Sequence, residues 1–197
     1  LIYSLLGYVM RYFEIMGTSL KPSVICLGAA MYGSAISEEE SFRMLDRFFE
    51  LGGNFVDTAN VYADWIDGYA GQSEKTIGKW LKKTGLRKSL FIGTKGGHPE
   101  IVANPSPTDL SKSILEEHLS QSLDRLQTDY IDLYWVHHDE PSRGIEEILE
   151  TMNEFITDGR VKAIGASNFS LPRLIEAREY VNKAGLVGFC ASQIGWS

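Results

Sequence analysis

At 197 residues, with 44% hydrophobic and 23% charged side chains, the chain can bury a sizeable core and has the balance of an ordinary globular protein. Extended disorder and fibrous repeats are excluded. A formal net charge of -7, with no Lys/Arg run, argues against a nucleic-acid partner, while a small anionic ligand held by local positive charge stays open.

The opening LIYSLLGYVM is apolar but about half as long as a membrane span, which needs roughly 20 residues. It has neither the basic flank nor the small-residue cleavage site of a secretory signal, so no membrane partner is expected. Met10, followed by RYFEI, reads as a natural start, which makes residues 1–9 an upstream extension and 10–197 the domain. A hairpin is expected next, with RYFEI and PSVICLG flanking MGTSLK and plugging one end of the fold. Cys26 and Cys190 sit in apolar runs and read as buried free thiols. No C-x-x-C or H-E-x-x-H spacing points to a metal. Reduced thiols suit a cytoplasmic location.

Short β-rich runs then recur at residues 23–28 (SVICLG), 54–59 (NFVDTA), 89–95 (SLFIGTK), 130–137 (YIDLYWVH), 161–167 (VKAIGAS) and 186–193 (LVGFCASQ). Helical patterns fill the gaps. Residues 37–52 open on Ser37 as an N-cap, carry acids in the first turn, place Phe42, Leu45, Phe48 and Phe49 on one face and stop at Gly52. Residues 73–85 end at Gly85 after a basic last turn that complements the helix dipole. Residues 109–127, 144–159 and 170–185 complete the alternation. Repeated βαβ units mean a parallel sheet, either open and doubly wound or closed as a barrel. The dinucleotide fingerprint G-x-G-x-x-G is missing after the first strand, where GAAMYG has the wrong spacing, and this favours the barrel.

In such a barrel the chemistry lies at the C-terminal ends of the strands. Asp57 closes the second run, with Tyr62 on the loop beyond it. Lys95 closes the third and His137 the fourth; Ser167 and Asn168 follow the fifth, and Gln193 ends the sixth. Polar endings on otherwise apolar strands, repeated along one rim, read as a site. A tyrosine hydroxyl can pass a proton to a carbonyl oxygen, but with an ordinary pKa near 10 it is a slow acid. A nearby ammonium stabilises a phenolate. Lys95 can be that ammonium, Asp57 can hold it, and His137 can orient a carbonyl or share the proton. Ser167, Asn168 and Gln193 offer neutral donors and acceptors suited to an amide.

The blocks VDTANVY, IGTKGG, IDLYWVH and AIGASNF, in that order and spacing, resemble the signatures of the aldo-keto reductases, and MRYFEI, LGAAMYG and GQSEKTIGKWLK extend the resemblance from Met10 onward. The resemblance implies an α/β fold, the (β/α)8 barrel of that family, which binds NADP(H), less often NAD(H), and reduces small-molecule aldehydes and ketones. By motif, Asp57, Tyr62, Lys95 and His137 match the family's catalytic tetrad, with Tyr62 as proton donor. Ser167, Asn168 and Gln193 match its carboxamide-binding residues, and Gly28 and Ala29 match backbone positions lining the cofactor. Some proteins of this fold are regulatory subunits with little turnover. A phosphate-binding barrel enzyme would instead want a Gly-rich loop after the seventh and eighth strands.

Strand alternation sends His138 to the face opposite His137, as a rim residue at the substrate mouth. His98 reads as a surface residue within reach of substrate, and His118 as a satisfied residue on a helix's apolar stripe. Trp65 and Tyr69 either wall a substrate pocket or pack a loop, and Trp135 is equally open. Asp64, Asp67 and Asp139 read as solvated charges. A full barrel needs eight strands and about 250 residues. Six are counted, so the chain reads as the N-terminal portion of a barrel, inactive and poorly soluble by itself.

Overall fold

The computed structural model describes residues 9–66, 70–98 and 108–195. The proposed upstream extension falls almost wholly outside the described residues, as do Asp67 and Tyr69. Among the described residues, strands β1 (Cys26–Gly28), β2 (Phe55–Asp57), β3 (Phe91–Gly96), β4 (Ile131–Val136), β5 (Val161–Ser167) and β6 (Ala191–Gln193) alternate with helices. The helices are α1 (Glu38–Glu50), α2 (Gln72–Thr84), α3 (Lys112–Leu126), α4 (Ile145–Thr157) and α5 (Leu171–Ala184).

All six strands are parallel and lie in sequence order, β1 to β6, each paired with the next. A doubly wound sheet reverses its order at a switch point, and this one never does, so the strands form part of a barrel wall. Its two faces separate by strand alternation. Val56, Ile92, Tyr134, Val136 and Ile164 pack outward against helix residues such as Leu115, Leu119, Ile148 and Phe155. Phe55, Phe91, Leu133, Trp135 and Ala163 point inward and form a second cluster with Ile15 and Leu20.

Ile15 and Leu20 come from the expected hairpin. Phe13 N donates to Pro22 O (3.1 Å) and Ile15 N to Leu20 O (3.4 Å), while Tyr12 bridges Ser23 antiparallel. Its turn needs Gly17, whose φ of +80° is a left-handed conformation that a side chain would strain. The hairpin therefore caps the inner face at the end opposite the strand C-termini.

The helix boundaries follow their chemistry. Ser37 caps α1 by accepting from Glu40 N at 3.2 Å. Helix α2 ends on left-handed Gly85, whose N–H closes on Leu81 O. The sheet departs from expectation in strand length. β5 has the expected bounds, but β1, β2 and β6 are three residues each, against six, six and eight expected from the apolar runs. Cys26 is exposed on β1 and not buried as its apolar run suggested; Cys190 is half-buried, and both thiols are free.

Ile15 is buried against Phe91, Leu133 and Ala163, whereas its neighbour Met16 is exposed. Ile15→Ala should lower unfolding free energy by about 2–4 kcal/mol, and Met16→Ala by less than about 0.5 kcal/mol, as measured by urea denaturation.

Candidate active site

The C-terminal rim gathers the strand ends. Register places Gly28 beside Asp57 and Asp57 beside Gly93. Two residues further up, Lys95 pairs with Trp135, Trp135 with Gly165 and Gly165 with Ala191. His137 continues β4 past Val136, and its N–H donates to Gly96 O at 2.9 Å.

Lys95 is only 1% exposed, and a lone ammonium there would be costly. Each of its three N–H groups has an acceptor. Nζ donates to Asp57 Oδ2 at 2.5 Å, to Thr58 O at 2.7 Å and to Tyr62 Oη at 3.0 Å. Gln193 Nε2 donates to the same Asp57 Oδ2 at 3.3 Å. The structure thus brings Asp57, Tyr62, Lys95 and Gln193 into one bonded group. Tyr62 is half-buried and stands edge-on to His137, with ring centroids 5.9 Å apart.

His137 is buried, and its Nδ1 has no hydrogen-bond partner among the described residues. Burial first, then the Lys95 ammonium and the neighbouring imidazoles, push its pKa down from 6.5 to about 2. The ring is therefore held neutral, able to act as a hydrogen-bonding group but not as a cationic acid. Its neighbours differ from expectation. His98 is not a surface residue: it is half-buried, with its ring 4.7 Å from His137 and 4.9 Å from His138. His138 does not turn to the opposite face, because β4 ends at Val136 and alternation ends with it; its ring stacks on His137 at 5.6 Å and 23°. Burial and the nearby His98 lower the pKa of His138 as well. His118 is satisfied as expected, with Nδ1 accepting from Gly97 N at 3.1 Å.

The groups matched to a nicotinamide carboxamide lie on the same rim. Asn168 is left-handed (φ 59°), donates from Nδ2 to Ser167 Oγ (3.1 Å) and His137 O (3.2 Å), and takes Gln193 O on its N–H (2.9 Å). Ser167 keeps its own O–H as a donor. Gly28 is exposed, and no atom lies within 4 Å of where its Cβ would stand, so a ring can approach the backbone beside Asp57. Ala29 is set back: it is fully buried, and its carbonyl accepts from Ser73 Oγ at 2.6 Å. A flat amide-bearing ring fits this edge. Lys95 is fully committed to its three partners and is not available to a phosphate.

Sequence reasoning missed the brace behind Tyr62. Thr58 Oγ1 pairs with Ser73 Oγ (2.7 Å), Asn60 N donates to Lys95 O (3.0 Å), and Arg125 Nη1 donates to Asn60 O (2.8 Å). Arg125 also reaches Glu74, which is fully buried and accepts from Thr94 Oγ1 at 2.6 Å. Burial raises the Glu74 pKa, against the opposing pull of its hydrogen bonds and of Arg125. A Glu at the start of a helix reads as an exposed dipole partner, and only the three-dimensional pairing reveals otherwise. Asp64 and Asp139 are also not solvated charges. Asp64 Oδ1 closes its loop on Gly71 N (2.7 Å), and Asp139 pairs with Arg173 (3.2 Å), both side chains being largely covered. Among the described residues no group of three His, Cys, Asp or Glu is placed to hold a metal ion, and no helix is long and apolar enough to cross a membrane.

A model of the Aldo/keto reductase family matches residues 24–197. The oxidoreductase YrpG of Bacillus subtilis (strain 168) is 35% identical over 192 residues, covering 95% of this chain and 58% of that protein. The NADP(+) aryl-alcohol dehydrogenase of Phanerodontia chrysosporium is 32% identical over 199 residues, covering 92% of this chain and 50% of that protein. Among solved structures, the holo form of aldo-keto reductase AKR11C1 from Bacillus halodurans matches with a TM-score of 0.79 and 30% identity, over 95% of this chain and 58% of that one. The chain spans about half the length of the curated relatives it matches.

The depressed His137 pKa has a consequence for stability. Below pH 6.5 the unfolded chain protonates this side chain and the folded chain does not, so stability falls as pH falls, by up to about 1.4 kcal/mol per unit. His137→Gln should flatten that acid dependence. Urea midpoints at pH 7 and pH 5 will measure it, and the drop should be smaller in the variant than in the parent.

Proposed function

The chain belongs to the aldo/keto reductase family, and from that premise we propose that the protein carrying it reduces an aldehyde or ketone with a nicotinamide cofactor, NADP(H) in preference to NAD(H). The observation that carries this reading is the buried ammonium of Lys95, bonded at once to Asp57 and Tyr62. The Tyr62 hydroxyl donates its proton to the substrate's carbonyl oxygen. Lys95, 3.0 Å away, faces the negative charge left on the tyrosine oxygen, where a preorganised charge in a buried site acts strongly. Asp57 fixes Lys95 in place. The neutral His137 ring offers a hydrogen bond that sets the carbonyl against Tyr62. Ser167, Asn168 and Gln193 hold the cofactor's carboxamide, and the rim at Gly28 and Ala29 lies along it. When bound, the nicotinamide supplies the hydride that reaches the carbonyl carbon.

Aromatic carbonyl compounds are the proposed substrate class. Trp65 stands edge-on to Tyr62 at 6.3 Å and is partly exposed, and the imidazoles of His98 and His138 pack against the His137 ring, which itself faces Tyr62. The relative named an NADP(+) aryl-alcohol dehydrogenase supports both the substrate class and the cofactor.

The test is oxidation of NADPH by the full-length protein with a panel of aryl aldehydes such as nitrobenzaldehyde. Tyr62→Phe keeps the ring and removes the transferable proton, so kcat should fall by roughly 10²-fold or more while NADPH affinity holds. His137→Ala should cost far more turnover than His138→Ala. Parental activity in Tyr62→Phe would end the proton-donor assignment. Cofactor binding with no turnover on any aldehyde would favour a regulatory subunit.

A further inference from the structure

Asp57 has two carboxylate oxygens, and only one is accounted for. Oδ2 takes Lys95 and Gln193, while Oδ1 is buried with no hydrogen-bond partner among the described residues. Trp135 shows the mirror deficit: its indole Nε1 is buried and likewise has no acceptor. Both side chains are at least nine-tenths buried, Asp57 at 6% exposure and Trp135 at 4%. A buried carboxylate oxygen and a buried indole N–H are each costly to leave unmade.

The two orphan atoms converge on one glycine. A Cβ on Gly93 would stand 3.0 Å from Trp135 Nε1 and 3.1 Å from Asp57 Oδ1. Gly93 is the register partner of Asp57, and Trp135 is the register partner of Lys95, two residues up the same strand from Gly93. The indole lies flat across the inner face because a second glycine makes room for it. A Cβ on Gly165, the partner of Trp135 on β5, would come within 2.4 Å of Trp135 Cε3. The benzo edge thus rests over Gly165, and the N–H edge points over Gly93 toward the carboxylate.

We infer that Trp135 is a positioning residue for the reaction, its indole N–H directed across Gly93 at Asp57 Oδ1, so that each unpartnered atom faces a group of opposite polarity. The inference that this matters for turnover rests on the proposed reductase chemistry. The donor draws charge on Asp57 toward Oδ1 and fixes the carboxylate plane, which sets how fully Oδ2 neutralises Lys95 beneath Tyr62. Without the donor, more of the carboxylate's charge stays on Oδ2, where it neutralises Lys95 more fully. The ammonium then favours a charged tyrosine oxygen less.

Two measurements test this. In ¹H–¹⁵N spectra of the full-length protein, the Trp135 indole resonance, identified by its loss in Trp135→Phe, should shift in Asp57→Asn and in Gly93→Ala, whose methyl fills the space between the two atoms. An indole resonance unmoved by either substitution would overturn the coupling. In steady-state kinetics, Trp135→Phe should lower kcat about tenfold, the scale of one hydrogen bond to a charged group. It should also move the alkaline limb of the kcat–pH profile upward and leave NADPH affinity unchanged. Parental kcat with an unmoved profile would overturn the positioning role. If Tyr62→Phe also retains full activity, the proposed chemistry fails, while the spectroscopic result still decides the Trp135–Asp57 contact.

Discussion

The rim is arranged around one ammonium that water cannot reach. Burying a charge costs several kcal/mol even after relaxation, and that cost constrains everything near Lys95. A carboxylate must lie within bonding distance, so β2 has to end at Asp57 in register with Gly93, one level below Lys95 on the same face. Two further acceptors must be present, and they are the Thr58 carbonyl and the Tyr62 hydroxyl, both from the segment that leaves β2. The direction of that segment is therefore set by the lysine as much as by its own turn residues.

A loop could not hold Tyr62 to such a distance unaided. Its turn includes Ala63 at φ +78°, a conformation that an alanine adopts at some cost. The cost is offset because the surrounding backbone is over-determined. Asn60 is tied to Lys95 through its N–H, to His118 and Gln121 through its amide, and to Arg125 through its carbonyl. Arg125 in turn neutralises Glu74, whose other oxygen holds Thr94 on β3. A buried polar network with its members satisfied specifies one arrangement, and here it connects helix α3 to the tyrosine loop and to the lysine strand.

Much of this was legible in the sequence, for a reason that also marks the limit. Strand and helix periods expose every βα unit, and polar residues at the ends of apolar strands mark the rim, because both are local patterns. The bounds of β5 are read without error, whereas β1, β2 and β6 are overestimated, because an apolar run does not say how many of its residues a ladder partner holds extended. Pairings such as Asp139 with Arg173, 34 residues apart, and Glu74 with Arg125, 51 apart, leave no local pattern, so the acids look solvated. His138 departs from alternation because it lies two residues beyond the strand that enforces it. The place of Trp135 inside the barrel depends on glycines in two neighbouring strands, and a single strand's sequence cannot show them together.

Three imidazoles beside a buried ammonium would be an electrostatic liability if they were charged. Burial keeps two of them from charging: burial first and then the Lys95 ammonium hold His137 far below its usual range, and burial with the nearby His98 lowers the pKa of His138. The inner site then carries one positive and one negative group, held 2.5 Å apart and nearly cancelling. In the proposed reaction an uncharged carbonyl entering it meets ring edges and dipoles, and no ion has to be stripped of water to admit it. Charge then arises on the tyrosine oxygen only as its proton leaves, with the ammonium already in place 3.0 Å away. A fixed donor that needs no reorganisation when the charge arises favours the proton transfer over the ground state. That balance suits imidazoles, and not further lysines, at the mouth.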